Sequence, residues 1–270
     1  DDASNLNDDP DVAHWAQVFS LSPDQGSLRQ WCIQRGLLDP HQPRALHGSV
    51  WSGTFAIELE HEAQRLISSE AQPHPGDDDR LDLCHLATYT LDDAGTREID
   101  DGVSLEVQNG EVWIWVHIAD PARLISSGSP LDQEARRRAT SLYLADGVLP
   151  MLPLNLAAGP LSLRAGQRTA AISVSVRLDS AGAIADRRIA RSWVQPRYGL
   201  TYADGDELIE LAPPGDETLA DLSELMQLRS RWRRQQGALM FDRMEGRFRR
   251  CDGELSLQLV EPSLARLMVS

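Results

Sequence analysis

The chain has 270 residues, 41% of them hydrophobic, which is enough to fill one sizeable core with a small module beside it. Its 26 basic residues, none of them lysine, stand against 41 acidic ones; the net charge of −15 excludes a broadly basic nucleic-acid-binding module. No apolar stretch is long enough to span a bilayer, no signal-like N-terminus is visible, and Cys32, Cys84 and Cys251 lie far apart with no CxxC pair, so reduced thiols in a cytoplasmic protein are expected rather than a disulfide framework.

Residues 1–10 are polar and acidic and read as a disordered tail. Residues 12–19 and 27–33 carry short amphipathic helical patterns, the second closing at Gly36, and a third helix is expected over 55–69. Together they make a small helical module over 11–70. Its spacing is helix-turn-helix-like, but its acidity argues for packing on the body that follows rather than for DNA binding. Gln72, Pro73, His74, Pro75, Gly76 and three aspartates then form a linker by composition, placed at 71–81. Strands are predicted near 86–91, 103–108, 112–119, 168–179 and 183–195. Helices are predicted at 131–140 and 217–235, where Leu219, Leu222, Leu225 and Met226 follow helical spacing. The mixture predicts an α+β fold, an extended sheet with helices packed on it. Residues 262–270 read as the opening of a helix without a stop signal. His117, inside a strongly apolar strand, is expected to be a satisfied core histidine, and no histidines show metal-ligand spacing.

The most informative segment is the run from Thr90 to Gly102, which places Asp92, Asp93, Glu98, Asp100 and Asp101, five carboxylates, within ten residues between two strand-like segments. Like charges this close and partly shielded from water repel one another and take up protons unless a cation neutralises them. An acidic surface turn is the ordinary reading of such a run; the apolar strands on both sides lower its weight. A calcium loop of the EF-hand kind fails on spacing, because Gly belongs at its sixth position, a bidentate Glu at its twelfth and helices at both ends. A hard divalent cation, Mg²⁺ or alternatively Mn²⁺, suits a set of carboxylates completed by water and phosphate oxygens, which is the setting of phosphoryl chemistry. On a regular strand Glu98 and Asp100 share a face while Asp101 points away, so a loop or bulge is expected near Asp100 and Asp101 to bring both into one site.

The pattern Asp92-x5-Glu98-x-Asp100-Asp101-Gly102 resembles the acidic signature of the ribonuclease II and ribonuclease R family, the RNB-domain exoribonucleases. The order of further segments agrees. These are Val116 to Pro121, Gly128 to Asp132, Ala135 to Leu144, Pro150 to Pro153, Leu161 to Gly166, Leu200 to Tyr202, and Trp232-Arg233-x3-Gly237-Ala238. The wording Glu-Ile-Asp-Asp-Gly is most similar to the cyanobacterial and chloroplast branch. One departure stands out: the family usually has Asp at the second acidic position, and this chain has Glu98. Asp93 has no counterpart in the pattern and reads as a solvated neighbour.

The resemblance implies a metal-dependent, processive 3′→5′ exoribonuclease that hydrolyses single-stranded RNA to nucleoside 5′-monophosphates, acting as a monomer and away from membranes. It assigns metal binding to Asp92, Glu98, Asp100 and Asp101, with Asp100 critical for the chemical step. It further implies that Tyr143 stacks on the 3′-terminal nucleotide and that Tyr202 lies near the terminal ribose; plain core tyrosines are the alternative, and their position in the motifs favours the functional reading. It places residues 82–270 over about the first half of the catalytic domain. A degenerate RNB fold that binds RNA without cutting it is the alternative, motivated by Glu98. The charge distribution bears on this: residues 1–101 hold 6 Arg against 20 Asp and Glu, and residues 102–270 hold 20 against 21. Within the second part, Arg229, Arg231, Arg233, Arg234, Arg243, Arg247, Arg249 and Arg250 form either a phosphate-facing strip or a solvated helix face.

Overall fold

The computed structural model describes residues 10–22, 25–38, 54–144, 147–239, 245–251, 254–260 and 263–269. The chain divides into two compact units, residues 1–52 and residues 53–270. In the first, helices α1 (Pro10–Val18) and α2 (Gln25–Gln34) fall where the amphipathic patterns place them, with Phe19 against Trp31 at 4.6 Å between ring centres. The tail over residues 1–9 lies outside the described residues.

The third expected helix, α3 (Ile57–Ser69), belongs to the second unit. Its stripe of Leu59, Ala63, Leu66 and Ile67 packs on Leu124, Ile125, Leu131 and Leu156, with Ala63 fully buried. The helical pattern shows that such a stripe needs an apolar partner and is silent on which one. The linker expected before the sheet is fastened rather than loose. Asp77 accepts from Arg123 at 3.0 Å and from Arg80 at 3.3 Å, and Arg80 is buried against Asp120 at 2.6 Å.

The sheet contains β1 (Leu81–Asp82), β2 (Tyr89–Asp92), β3 (Asp101–Gln108), β4 (Glu111–Ala119), β7 (Thr169–Leu178), β8 (Ile184–Val194) and β9 (Tyr198–Thr201), in the order β1-β8-β7-β4-β3-β2-β9. Its inner pairs are antiparallel, and the outer pairs β1 with β8 and β2 with β9 are parallel, which makes the α+β fold one built on a mixed sheet. Between β4 and β7 the chain forms α4 (Pro130–Arg138), a ribbon of β5 (Leu142–Leu144) and β6 (Gly147–Leu149), and the single turn α5 (Leu154–Ala157). After β9 come α6 (Tyr202–Leu211), α7 (Thr218–Gln235), a second ribbon of β10 (Glu245–Cys251) and β11 (Glu254–Val260), and α8 (Leu264–Met268).

Alternation along β4 sends Ile114 and Trp115 to opposite faces. Ile114, with Tyr89, Leu91 and Val103, is covered by Leu219 and Leu222 of α7 and by Ala265 and Met268 of α8. Trp115, with Ala119, Ala171 and Val194, is covered by Leu83, Leu86 and Leu163. His117 is a satisfied core histidine, as expected: it hydrogen-bonds Ser104 at 2.9 Å and Ser173 at 2.7 Å, and burial lowers its pKa to about 4. No helix among the described residues is long and apolar enough to cross a membrane.

Candidate functional site

The acidic run becomes the connection between β2 and β3, at one end of the sheet. Asp92 ends β2, opposite Thr201 of β9; Asp101 opens β3, opposite Ile118 of β4. The loop expected at Asp100 and Asp101 is present as the stretch 93–100, and the pairing of β3 with β4 runs on from Asp101 without a bulge. Gly95, at φ 95°, turns this loop in the left-handed region open to glycine.

Backbone contacts fix where the carboxylates sit. Ile99 N–H donates to Ser162 Oγ at 3.2 Å, its carbonyl accepts from Leu163 N–H at 2.8 Å, and the Asp100 carbonyl accepts from Ala119 N–H at 2.8 Å. Gly102 lets the strand close in behind them, since a Cβ there would lie 3.1 Å from the Tyr89 carbonyl oxygen. Glu98 is held by its side chain: Ser141 Oγ donates to Oε2 at 2.9 Å, while Oε1 is buried with no partner among the described residues.

All four expected acids are pushed above the usual carboxylate range. Burial, then the charges of Asp101, Asp100 and Asp93, raises Asp92 to about 6. Asp101 is raised by burial and then by Asp100, and Asp100 by burial. Glu98 is raised by burial and by Asp100, against the lowering effect of the Ser141 hydrogen bond. Asp92, Glu98 and Asp101 therefore feel the charges beside them, while Asp100 stays an exposed residue at the end of the loop. Asp93 departs from the expectation of a solvated neighbour: it pairs with Arg266 of α8 at 2.8 Å.

Both expected tyrosines flank the acids. Tyr143, on β5, is 66% exposed, and its phenol is raised by burial and then by the charges of Glu98, Asp100 and Asp92. Tyr202, the first residue of α6, is raised by burial, lowered by Arg266, whose guanidinium lies 4.3 Å from the ring centre, and raised again by Asp92, Asp93 and Asp101. A cleft of about 410 Å³ opens between the acid loop and the β5–β6 ribbon, with Glu98, Asp100 and Tyr143 on its walls and Ile118, Met151 and Leu161 as apolar lining. Such a cleft offers a flat aromatic, an apolar floor and acids at one end.

The donors fit a hard divalent cation by type and by uncompensated charge, and the unpartnered Glu98 oxygen is a free donor. Among the described residues, no three His, Cys, Asp or Glu side chains converge as a ready-made ligand group. The arginine strip is brought together only in part. Arg229 donates to the Gly182 carbonyl at 3.2 Å, while Arg243 and the side chains of Arg247, Arg249 and Arg250 lie outside the described residues. Sequence reasoning missed Ser141, Arg266 and the buried Arg138. The hydroxyl two residues before Tyr143 is a signal that could have been read; nothing local marks the two arginines.

Residues 80–270 match the family described as RNB domain. An uncharacterized ribonuclease of Synechocystis is 41% identical over 240 residues, covering 88% of this chain and 36% of its own length. The chloroplastic/mitochondrial ribonuclease II of Arabidopsis thaliana is 43% identical over 171 residues, covering 63% of this chain and 21% of its own length. The chain thus spans about a third or less of these relatives. Among solved structures, Mycoplasma genitalium RNase R in complex with ribose-methylated single-stranded RNA superposes with a TM-score of 0.71 at 19% identity, over 82% of this chain and 35% of that one, a likeness of fold.

Proposed function

The chain belongs to the RNB exoribonuclease family, in a branch with cyanobacterial and chloroplast members, and we propose that it carries the acidic centre of a metal-dependent, processive 3′→5′ exoribonuclease acting on single-stranded RNA. The observation that carries this reading is the gathering of Asp92, Glu98, Asp100 and Asp101 at one sheet end, each carboxyl raised, beside the exposed ring of Tyr143. Those four acids would hold Mg²⁺, with Mn²⁺ as the alternative. When bound, the ion supplies charge neutralisation at the scissile phosphate and a hydrolytic nucleophile.

The chain's own residues do the rest. Tyr143 stacks the 3′-terminal base over the apolar floor, and Tyr202 lies on the Asp92 side, toward the ribose. Asp100 has its backbone bonded to Ala119 and lines the cleft, which supports the reading that it acts at the phosphate. In the hydrolysis a water oxygen bonds to phosphorus, the P–O3′ bond breaks, the departing 3′ oxygen takes a proton, and a nucleoside 5′-monophosphate leaves.

The second reading, an RNA-binding protein with a lapsed centre, is favoured by Glu98 in place of Asp and by the lack of a ready-made ligand group among the described residues. The full natural polypeptide, incubated with Mg²⁺ and 5′-labelled single-stranded RNA beside an Asp100→Asn version, separates the two. A descending ladder abolished in the variant supports the exonuclease; binding without shortening, unchanged by the substitution, sinks it.

A further inference from the structure

We propose that Ser141 is the positioning residue for Glu98, and that the glutamate at the second acidic position is matched to it. This rests on the nuclease reading above. Ser141 Oγ accepts from Met151 N–H at 2.9 Å and stands 2.9 Å from Glu98 Oε2. With one lone pair committed to Met151, the hydroxyl hydrogen points at the carboxylate. One oxygen of Glu98 is thereby held, and the other, Oε1, is left buried with no hydrogen-bond partner among the described residues, in a cleft whose wall Glu98 shares with Asp100. A carboxylate held by one oxygen has the swing of its second oxygen restricted.

The serine is itself on rigid ground. Three residues earlier, buried Arg138 donates to Glu134 at 2.8 Å, to the Pro150 carbonyl at 2.9 Å and to the Thr54 carbonyl at 3.0 Å, and lies 3.8 Å from the Phe55 ring centre. Ala139, at φ 64°, turns the chain out of α4 and into the ribbon, so Ser141 and Tyr143 leave that anchor on one short segment. Ser141 therefore ties the acid loop to the element that carries the exposed aromatic. An aspartate in place of Glu98 would fall roughly 1 Å short of Ser141, beyond hydrogen-bond reach. The added methylene of Glu98 is what spans the gap.

The test is a double-substitution cycle in the full natural polypeptide, using wild type, Ser141→Ala, Glu98→Asp and the pair, with Ser141→Thr as the conservative rescue. Two readouts are taken: kcat and KM on single-stranded RNA, and Mn²⁺ affinity by electron paramagnetic resonance in the absence of RNA. Loss of an outer partner of this kind lowers activity or metal affinity by about ten- to a hundredfold. Ser141→Ala is expected to lower kcat and Mn²⁺ affinity in that range with KM unchanged, Ser141→Thr to restore both, and Ser141→Ala to add little once Glu98→Asp is in place. A Ser141→Ala loss that is equal with and without Glu98→Asp would show that Ser141 acts through Met151 on the ribbon alone, and overturns the proposal. So does an Mn²⁺ affinity that is the same in all five proteins. If wild type binds RNA without shortening it, the nuclease reading falls, while the Mn²⁺ cycle still decides the pairing of Ser141 with Glu98.

Discussion

Glu134→Gln puts a number on the anchor beneath the Tyr143 ribbon. Glu134 takes hydrogen bonds from Arg137 at 2.6 Å and from Arg138 at 2.8 Å. These bonds, Arg137's first and Arg138's second, lower its pKa from 4.5 to about 2. A drop of that size corresponds to at most about 3 kcal/mol. Arg137 is 37% exposed and its share is screened by solvent, which leaves roughly 2 kcal/mol, mostly from the buried Arg138 side. Because the folded pKa lies below the unfolded one, the stabilisation is complete above about pH 4.5 and disappears as pH falls toward 2. Urea unfolding should therefore show Glu134→Gln weaker than wild type by about 2 kcal/mol at pH 7 and by about half that near pH 3.5. Equal stability at pH 7, or a gap that does not narrow on acidification, would refute the reasoning. Arg138 would then be held by the Pro150 and Thr54 carbonyls and the Phe55 ring alone.

Tyr143→Ala should weaken single-stranded RNA binding by about 1–3 kcal/mol, the contribution of one stacked base, while Tyr143→Phe stays near wild type. Anisotropy titrations in an Asp100→Asn background measure it, and no loss would put the 3′ end elsewhere. Asp92→Asn should stabilise the metal-free protein. The folded pKa of about 6 lies above the unfolded value of 3.8, so the acid's contribution is intact below about pH 4 and is lost as pH rises through 6. Melting in chelator should favour the variant by up to about 2 kcal/mol at pH 8, after allowing for solvent screening, and by nothing below pH 4. Mg²⁺ should raise the wild-type midpoint more than that of the variant. A variant less stable at pH 8 would mean that the four carboxylates do not repel as a group.

How much of this could be read from the chain depends on where each partner lies in sequence. The acid loop was legible because five carboxylates between two apolar strands make a local contradiction, and strand alternation required a break at Asp100 and Asp101. His117 was legible for a similar reason, an uncharged donor and acceptor on an otherwise apolar strand. The capping box of Thr201 and Asp204, which starts α6 at Tyr202, was equally local and could have been read. By contrast, β1 and β9 are two and four residues long and pair in parallel with strands far off in sequence, Leu81 with Ser192 and Asp92 with Thr201, so no local pattern announces them. Asp77 stood in a segment of turn-forming composition, and its fixed geometry comes from Arg123, 46 positions later.

The acid site divides along the same line. Which charges gather is set by neighbours within ten residues, but what holds them there is not. Ile99 is bonded by Ser162 and Leu163, Asp100 by Ala119, Glu98 by Ser141 and Asp93 by Arg266, at separations from about twenty to well over a hundred residues. Four carboxylates raised by burial, three of them also by neighbouring acids, make this loop a place where the fold gives up stability. A loop under that repulsion would open toward solvent if its own residues were its only support. Fastening its backbone to β4 and to the segment before β7, and one of its acids to the ribbon, keeps the charges together, which is the arrangement that the proposed metal-dependent hydrolysis requires.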